Sequence, residues 1–139
     1  MSDKKLDLSA LAKAILSLEE AVQEFGRQPK NKFIRDATIQ RFEYTYELTH
    51  KMLRRYLELT EPNPGEIDKM TFPTLIRTAS ERGLLLHGWD VWTIYRDARN
   101  MTSHVYDEDK AIKVVKVIPD FYQESKHLLV KLQEKLSQS

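Results

Sequence analysis

Two arginine–histidine pairs and two glutamate–histidine pairs are the parts of this sequence whose residue types and spacing could do chemistry. Arg-x-x-x-x-His occurs at Arg82…His87 and at Arg99…His104. Such a pair suits cleavage of RNA without a metal. The histidine takes the ribose 2′-OH proton, and the arginine stabilises the charged phosphorane. Histidine fits the first task because its pKa lies near neutrality, and arginine the second because its rigid fork is always charged. Glu-x-x-His occurs at Glu47…His50 and Glu124…His127. Paired motifs of this kind hold di-iron centres in helical bundles when their ligands point inward.

Context separates these candidates. With 4 His among 139 residues and nine Arg, a chance match to the bare arginine–histidine pattern is unsurprising. Arg82…His87 spans Gly83 and three leucines, which read as a buried turn with polar flanks. Arg99…His104 lies in the stretch from Arg96 to Tyr106, the densest cluster of chemically capable side chains in the chain. On a continuous helix, Arg99 and His104 would point ~140° apart, whereas Asn100 and His104 share a face. For the pair to meet, the helix must end near Ser103, or a second protomer must supply one member. A structural role is the alternative: a histidine at a helix C-terminus is favoured as a cation by the macrodipole.

The glutamate–histidine pairs read differently. Glu47 and His50 continue a stripe of Glu43, Lys51 and Arg54, and Glu124 and His127 continue one of Asp120 and Lys131. Both stripes are expected to be solvated faces off the apolar seam, so no metal is assigned and no cofactor is called for. Trp89, Trp92, Tyr95 and Tyr106 could stack on bases. At helical spacing beside Val91 and Ile94 they are expected to serve as core or subunit interface instead.

The elements that must position these residues are helical. Leu8, Leu11, Ile15, Leu18, Val22 and Phe25 step by three and four, and Gly26 is expected as the C′ residue. A second helix is predicted from about Asn31 to Thr60, with Phe42, Tyr46, Thr49, Leu53 and Tyr56 inward, ended by Pro62 and Pro64. A short third helix is predicted from about Pro73 to Gly83. A fourth runs from Trp89 to about Ser103, with Val91, Tyr95, Ala98 and Met101 on one face and Arg96, Arg99, Asn100 and Ser103 on the other. A fifth follows Asp107-Glu108-Asp109, with Ala111, Val115, Ile118, Tyr122, Leu129, Leu132 and Leu136 inward and a kink or break at Pro119. The β-branched run 111–118 reads as helix because Lys110, Lys113 and Lys116 recur every three residues. The expected fold class is all-α, an up-and-down four-helix bundle with one extra short helix, in a single domain spanning 1–139.

Composition narrows the function classes. Lys plus Arg total 22 and Asp plus Glu 21, a net charge of +1, so no bulk charge argues for DNA wrapping or membrane-surface binding. Without cysteine, disulfides, thiolate nucleophiles, iron–sulfur clusters and Cys-based zinc sites are excluded. Four Gly and five Pro point to few chain reversals, against a many-stranded β-fold. Met1-Ser-Asp-Lys-Lys-Leu leads into an amphipathic stretch with no apolar leader segment, and no apolar run approaches the ~20 residues that span a bilayer. A cytoplasmic location is expected. No Gly-rich phosphate loop, nucleophile elbow or Gly-Ser-plus-paired-Asp nucleotidyltransferase core is present, so any nucleotide transfer requires another chain.

A family resemblance rests on specific blocks. Gln40-Arg41-Phe42-Glu43-Tyr44-Thr45-Tyr46-Glu47-Leu48, followed by Lys51-Met52-Leu53 and Tyr56-Leu57, resembles the second-helix signature of the nucleotidyltransferase substrate-binding protein family, within the HEPN superfamily. Phe72-Pro73, Leu75-Ile76-Arg77-Thr78-Ala79, Gly83-Leu84-Leu85, Trp89 and Arg99-Asn100-Met101-Thr102-Ser103-His104-Val105-Tyr106-Asp107-Glu108 match as well. The resemblance covers about residues 8–136, and Arg-Asn-x-x-Ser-His-x-Tyr is its most specific part. It implies a helical bundle that forms a homodimer and pairs with a separately encoded, minimal nucleotidyltransferase of the MNT type. Many such pairs are toxin–antitoxin modules in which the HEPN chain is a metal-independent RNase. The resemblance makes Arg99 and His104 the catalytic pair. Asn100 is the polar residue beside the arginine, and Tyr106 is the tyrosine to which some partners add AMP. Arg96 and Ser103, on the same polar face, are candidate binding residues with Asn100 for RNA or a nucleotide.

Overall fold

A computed structural model describes residues 6–138; Met1–Lys5, the start of the stretch read as lacking a leader, lies outside the described residues. Six α-helices and a single 3-10 turn make up the regular structure, and no strand occurs among the described residues. Helix α1 spans Ser9–Arg27, α2 Lys32–Thr60, α3 Pro64–Lys69, α4 Phe72–Glu81, α5 Trp89–Met101 and α6 Glu108–Ser137. The 3-10 turn, Thr102–His104, joins α5 to the loop before α6. None of these helices is long and apolar enough to cross a membrane.

Local sequence sets the helix ends. Asn31 caps α2, its side chain accepting from the backbone N–H groups of Phe33 and Ile34 at 3.0 and 3.1 Å. Asp107 does the same for α6, accepting from Asp109 N–H at 3.0 Å and Lys110 N–H at 3.4 Å. Glu108 and Asp109 add negative charge at the positive end of that helix. Helix α4 ends in a Schellman arrangement: Gly83, at φ 74°, donates to Ser80 O, and Leu84 donates to Ala79 O. Leu84 is thereby buried. Gly26, expected to play that part for α1, lies inside the helix instead. Gln28 closes α1 by donating to Glu24 O and Phe25 O.

Three further expectations change. Where one short helix was predicted, two occur, because the Pro62–Gly65 punctuation also starts α3. Pro64 sits in its first turn, Ile67 is fully buried, and Arg54 Nη1 donates to Ile67 O at 2.8 Å. Helix α6 runs unbroken through Pro119. A proline there forfeits about 3 kcal/mol, but Pro119 is exposed while Ile118, Phe121 and Tyr122 beside it are buried against other helices. The inward stripe of α6 is also offset from the predicted one. It centres on Ala111, Val114, Ile118, Phe121, Ser125, Leu128 and Leu132, with Val115 and Leu129 only half-buried.

The core lies where α1, α2, α5 and α6 pack together. Helix α1 runs against α2 and α6, α2 against α6, and α5 against α6. The predicted stripe of α2 is buried in full. Phe121 forms the centre of an aromatic cluster, edge-on to Phe42 at 5.1 Å and to Tyr95 at 5.4 Å between ring centres. Trp92 meets Tyr95 edge-on at 5.2 Å. Of the four aromatic residues weighed for base stacking, Trp92 and Tyr95 are core, Trp89 is half-buried, and Tyr106 is 86% exposed.

Candidate functional site

The site assembles where α5 gives way to the 3-10 turn. Ala98 and Tyr95 anchor the last turns of α5 in the core, and Thr102, also buried, pins the start of the 3-10 turn. The Thr102 hydroxyl lies 2.5 Å from Glu43 Oε2 and 2.7 Å from Arg99 O, and it accepts from Arg99 Nη1 at 3.3 Å. Arg99 Nε donates to Glu47 Oε1 at 2.7 Å, and Arg99 Nη1 stands 3.8 Å from Glu43 Oε2. The guanidinium, with its side chain 29% exposed, therefore sits in a fork of two carboxylates one turn apart on α2. Such a fork fixes its direction and partly cancels its charge.

The rest of the sequence-predicted cluster divides in two. Ser103, His104 and Tyr106 are exposed together on the turn and the loop after it, with Asn100 exposed on the preceding turn. Ser103 Oγ lies 3.5 Å from Asn100 O, and the His104 and Tyr106 rings stand edge-on at 6.2 Å. The 3-10 turn advances about 120° per residue against about 100° in the helix, so Arg99 and His104 emerge roughly 160° apart. Among the described residues no hydrogen bond or ion pair joins them. The helix does end near Ser103, yet ending it there does not join the pair. Arg96 lies off the turn, its guanidinium 5.8 Å from the Phe72 ring centre and 5.9 Å from that of Trp89.

Sequence reasoning missed the partners of Arg99. Glu43 and Glu47 were assigned to a solvated stripe, and their i,i+4 spacing on one face was the available signal. His50 was placed on the same stripe but is half-buried, its ring 4.4 Å from that of Phe72 and its Nε2 without a hydrogen-bond partner. Burial, then the nearby charge of Arg54, holds its pKa below the usual histidine value.

The second glutamate–histidine motif overturns its expectation. Glu124 has no exposed surface. Its carboxylate accepts from Leu86 N–H at 2.7 Å, His87 N–H at 3.0 Å and Trp92 Nε1 at 2.9 Å. It is a staple that ties α6 to the loop between α4 and α5. Its neighbours Phe121, Ser125 and Leu128 are all inward, so the true core seam carries the residue in with it. Among the described residues no group of three or more His, Asp or Glu side chains is placed to hold a metal ion.

Comparison with known proteins adds context to this geometry. A family model described as nucleotidyltransferase substrate binding protein like matches residues 6–134. A Haemophilus influenzae protein named probable ribonuclease HepT is 37% identical over 145 residues, covering 97% of each chain. The solved structure of HI0074, also from Haemophilus influenzae and described as revealing the fold of a substrate binding domain of a nucleotidyltransferase, superposes with a TM-score of 0.84. That match has 35% sequence identity and covers 91% of this chain and 99% of the other.

Proposed function

The chain belongs to the nucleotidyltransferase substrate-binding protein family, and we propose that it is the HEPN subunit of a two-gene toxin–antitoxin-type module, acting as a metal-independent endoribonuclease. The carrying observation is the exposed turn, which presents His104, Tyr106, Asn100 and Ser103 together at the end of a helix whose Arg99 is rigidly aimed. Similarity to a probable ribonuclease along nearly the whole chain supports the same reading.

In the proposed reaction His104 removes the 2′-OH proton, and the 2′-oxygen attacks the adjacent phosphorus. Arg99 stabilises the phosphorane. The 5′-oxygen then departs with a proton returned by the imidazolium or by water, leaving a 2′,3′-cyclic phosphate and a 5′-hydroxyl. Because the turn points Arg99 and His104 apart, the working pair is Arg99 of one protomer and His104 of the other in a homodimer. Coexpression tests this. Arg99→Ala and His104→Ala chains are each inactive alone. Mixed dimers regain cleavage, because one composite site then keeps both residues. If mixtures stay as inactive as the single variants, the shared-site arrangement is wrong.

The family name implies association with a nucleotidyltransferase. We assign that role to an MNT-type enzyme encoded separately. Tyr106, 86% exposed, is the candidate acceptor for AMP. Its phenolate would attack the α-phosphate of ATP and expel pyrophosphate. A second reading has one observation in its favour: the Glu43–Glu47 fork weakens the positive field of Arg99, as suits a subunit that presents substrate to the nucleotidyltransferase without cleaving it. An RNA-cleavage assay with Arg99→Ala as control separates the two, since the binding module cleaves nothing in either form.

A further inference from the structure

A depression of about 440 Å³ on the α2 surface, lined by Glu47, Leu48, His50, Lys51 and Arg54, lies directly beside the Arg99 fork through their shared Glu47. The catalytic proposal does not account for it, and the fold uses only Arg54 Nη1, which donates to Ile67 O. Its walls are cationic: Lys51 and Arg54 line it, and Arg96 stands over the Phe72 ring on which His50 packs. Glu47 is the acidic residue of the lining, and it is already engaged by Arg99. His50 is the most informative member. The ring is half-buried but its Nε2 is fully buried, and a buried nitrogen without a hydrogen-bond partner is a standing penalty that an anionic ligand relieves.

We propose that His50, Lys51 and Arg54, with Arg96, form a phosphate-binding subsite for single-stranded RNA, holding the phosphate next to the one at the Arg99 turn. This rests on the ribonuclease reading for the identity of the ligand. Backbone phosphates are met by cations that need not read sequence, while Trp89 and Phe72 offer partly buried ring surface beside them. A phosphate there would also oppose the surroundings that disfavour a charged His50, namely burial and the nearby Arg54 and Arg96 set against Glu47.

The test uses the His104→Ala chain, so that RNA stays intact. Binding of a labelled single-stranded oligoribonucleotide is followed by anisotropy across a salt series. Lys51→Glu and His50→Gln weaken binding on the order of tenfold, and loss of one phosphate contact lowers the salt slope by about 0.7. Lys126→Glu, the same charge change where Lys126 stands over Tyr122, serves as the control. If Lys51→Glu weakens binding no more than Lys126→Glu, the subsite is wrong. AMP, titrated while the His50 imidazole resonances are followed, separates the two phosphate sources. Shifts with AMP alongside RNA binding that ignores Lys51 and His50 would mean a free-nucleotide site and overturn the RNA assignment. The two proposals fail separately. Cleavage that needs Arg99 and His104 while binding ignores His50 and Lys51 sinks only the subsite. Binding that needs Lys51 and His50 in a wild-type chain that never cleaves sinks only the ribonuclease.

Discussion

The molecule carries the same five-residue spacing twice and puts it to two different uses. Arg82…His87 wraps the Schellman turn after α4. Arg82 donates to Thr60 Oγ1 at 3.1 Å and pairs with Glu61, while the His87 backbone N–H is held by fully buried Glu124. His87 is half-buried, with its Nδ1 3.6 Å from Glu124 and not hydrogen-bonded. Arg99…His104 wraps a 3-10 turn instead. There the arginine is buttressed by two α2 carboxylates and the histidine faces solvent. One copy faces a buried acceptor and ties two elements together; the other turns its histidine out to solvent. Spacing alone does not distinguish them. What does is whether a core carboxylate reaches the turn.

The largest effect expected from this contrast is at Glu124. Glu124→Ala leaves two backbone N–H groups and the Trp92 indole N–H without a protein acceptor, at roughly 1–3 kcal/mol each. Urea unfolding should show a loss of about 3–5 kcal/mol. A loss below about 1 kcal/mol would mean the staple contributes little and would erase the contrast. Next is Trp92→Phe, which keeps most of the ring packing but removes one donor. It should lower stability by about 1–2 kcal/mol by the same measurement. Gly83→Ala tests the turn itself. Its φ of 74° strains any Cβ-bearing residue, so a loss of about 1 kcal/mol is expected, with RNA cleavage at low temperature unchanged.

The smallest effect is a pH dependence. The folded state holds His50 below its ordinary value of 6.5, chiefly through burial. The unfolded chain therefore binds more protons across that window, and stability rises with pH there. The contribution is full above 6.5 and is lost as pH falls from 6.5 through the lower folded value. His50→Gln should flatten this part of the stability–pH curve. An identical slope in the His50 variant would contradict the burial account.

Much of the fold could be read from the sequence because its signals are local. The starts of α2 near Asn31 and of α6 after Asp107 follow from local side chains, and the structure shows both residues capping their own helices. The α2 stripe is similarly self-contained. The misreadings at Glu124 and Arg99 share one physical origin, which is that the deciding partner lies far along the chain. Glu124 looks like a surface residue until the loop 38 residues away offers it a backbone N–H. Arg99 looks free until Glu47, 52 residues earlier, reaches it. Helix α3 was hidden because Pro64 and Gly65 read as punctuation, whereas burial of Ile67 outweighs their local preference. The outward turn was legible as a cluster of capable residues, and the five-residue spacing already sets Arg99 and His104 well apart; what spacing does not encode is the pair of α2 carboxylates that hold Arg99.

The central claim is that the outward copy of the motif is chemical and the inward copy structural. The direct measurement is the initial rate of single-stranded RNA cleavage by the purified chain and by His104→Ala, Arg99→Ala and His87→Ala, each confirmed as folded. Loss of a general base or a charge-stabilising partner should lower the rate on the order of 10²-fold or more for His104→Ala and Arg99→Ala. His87→Ala should retain the wild-type rate to within about twofold. A His104→Ala chain that cleaves as fast as wild type, or a His87→Ala chain that is folded yet equally inactive, would contradict it.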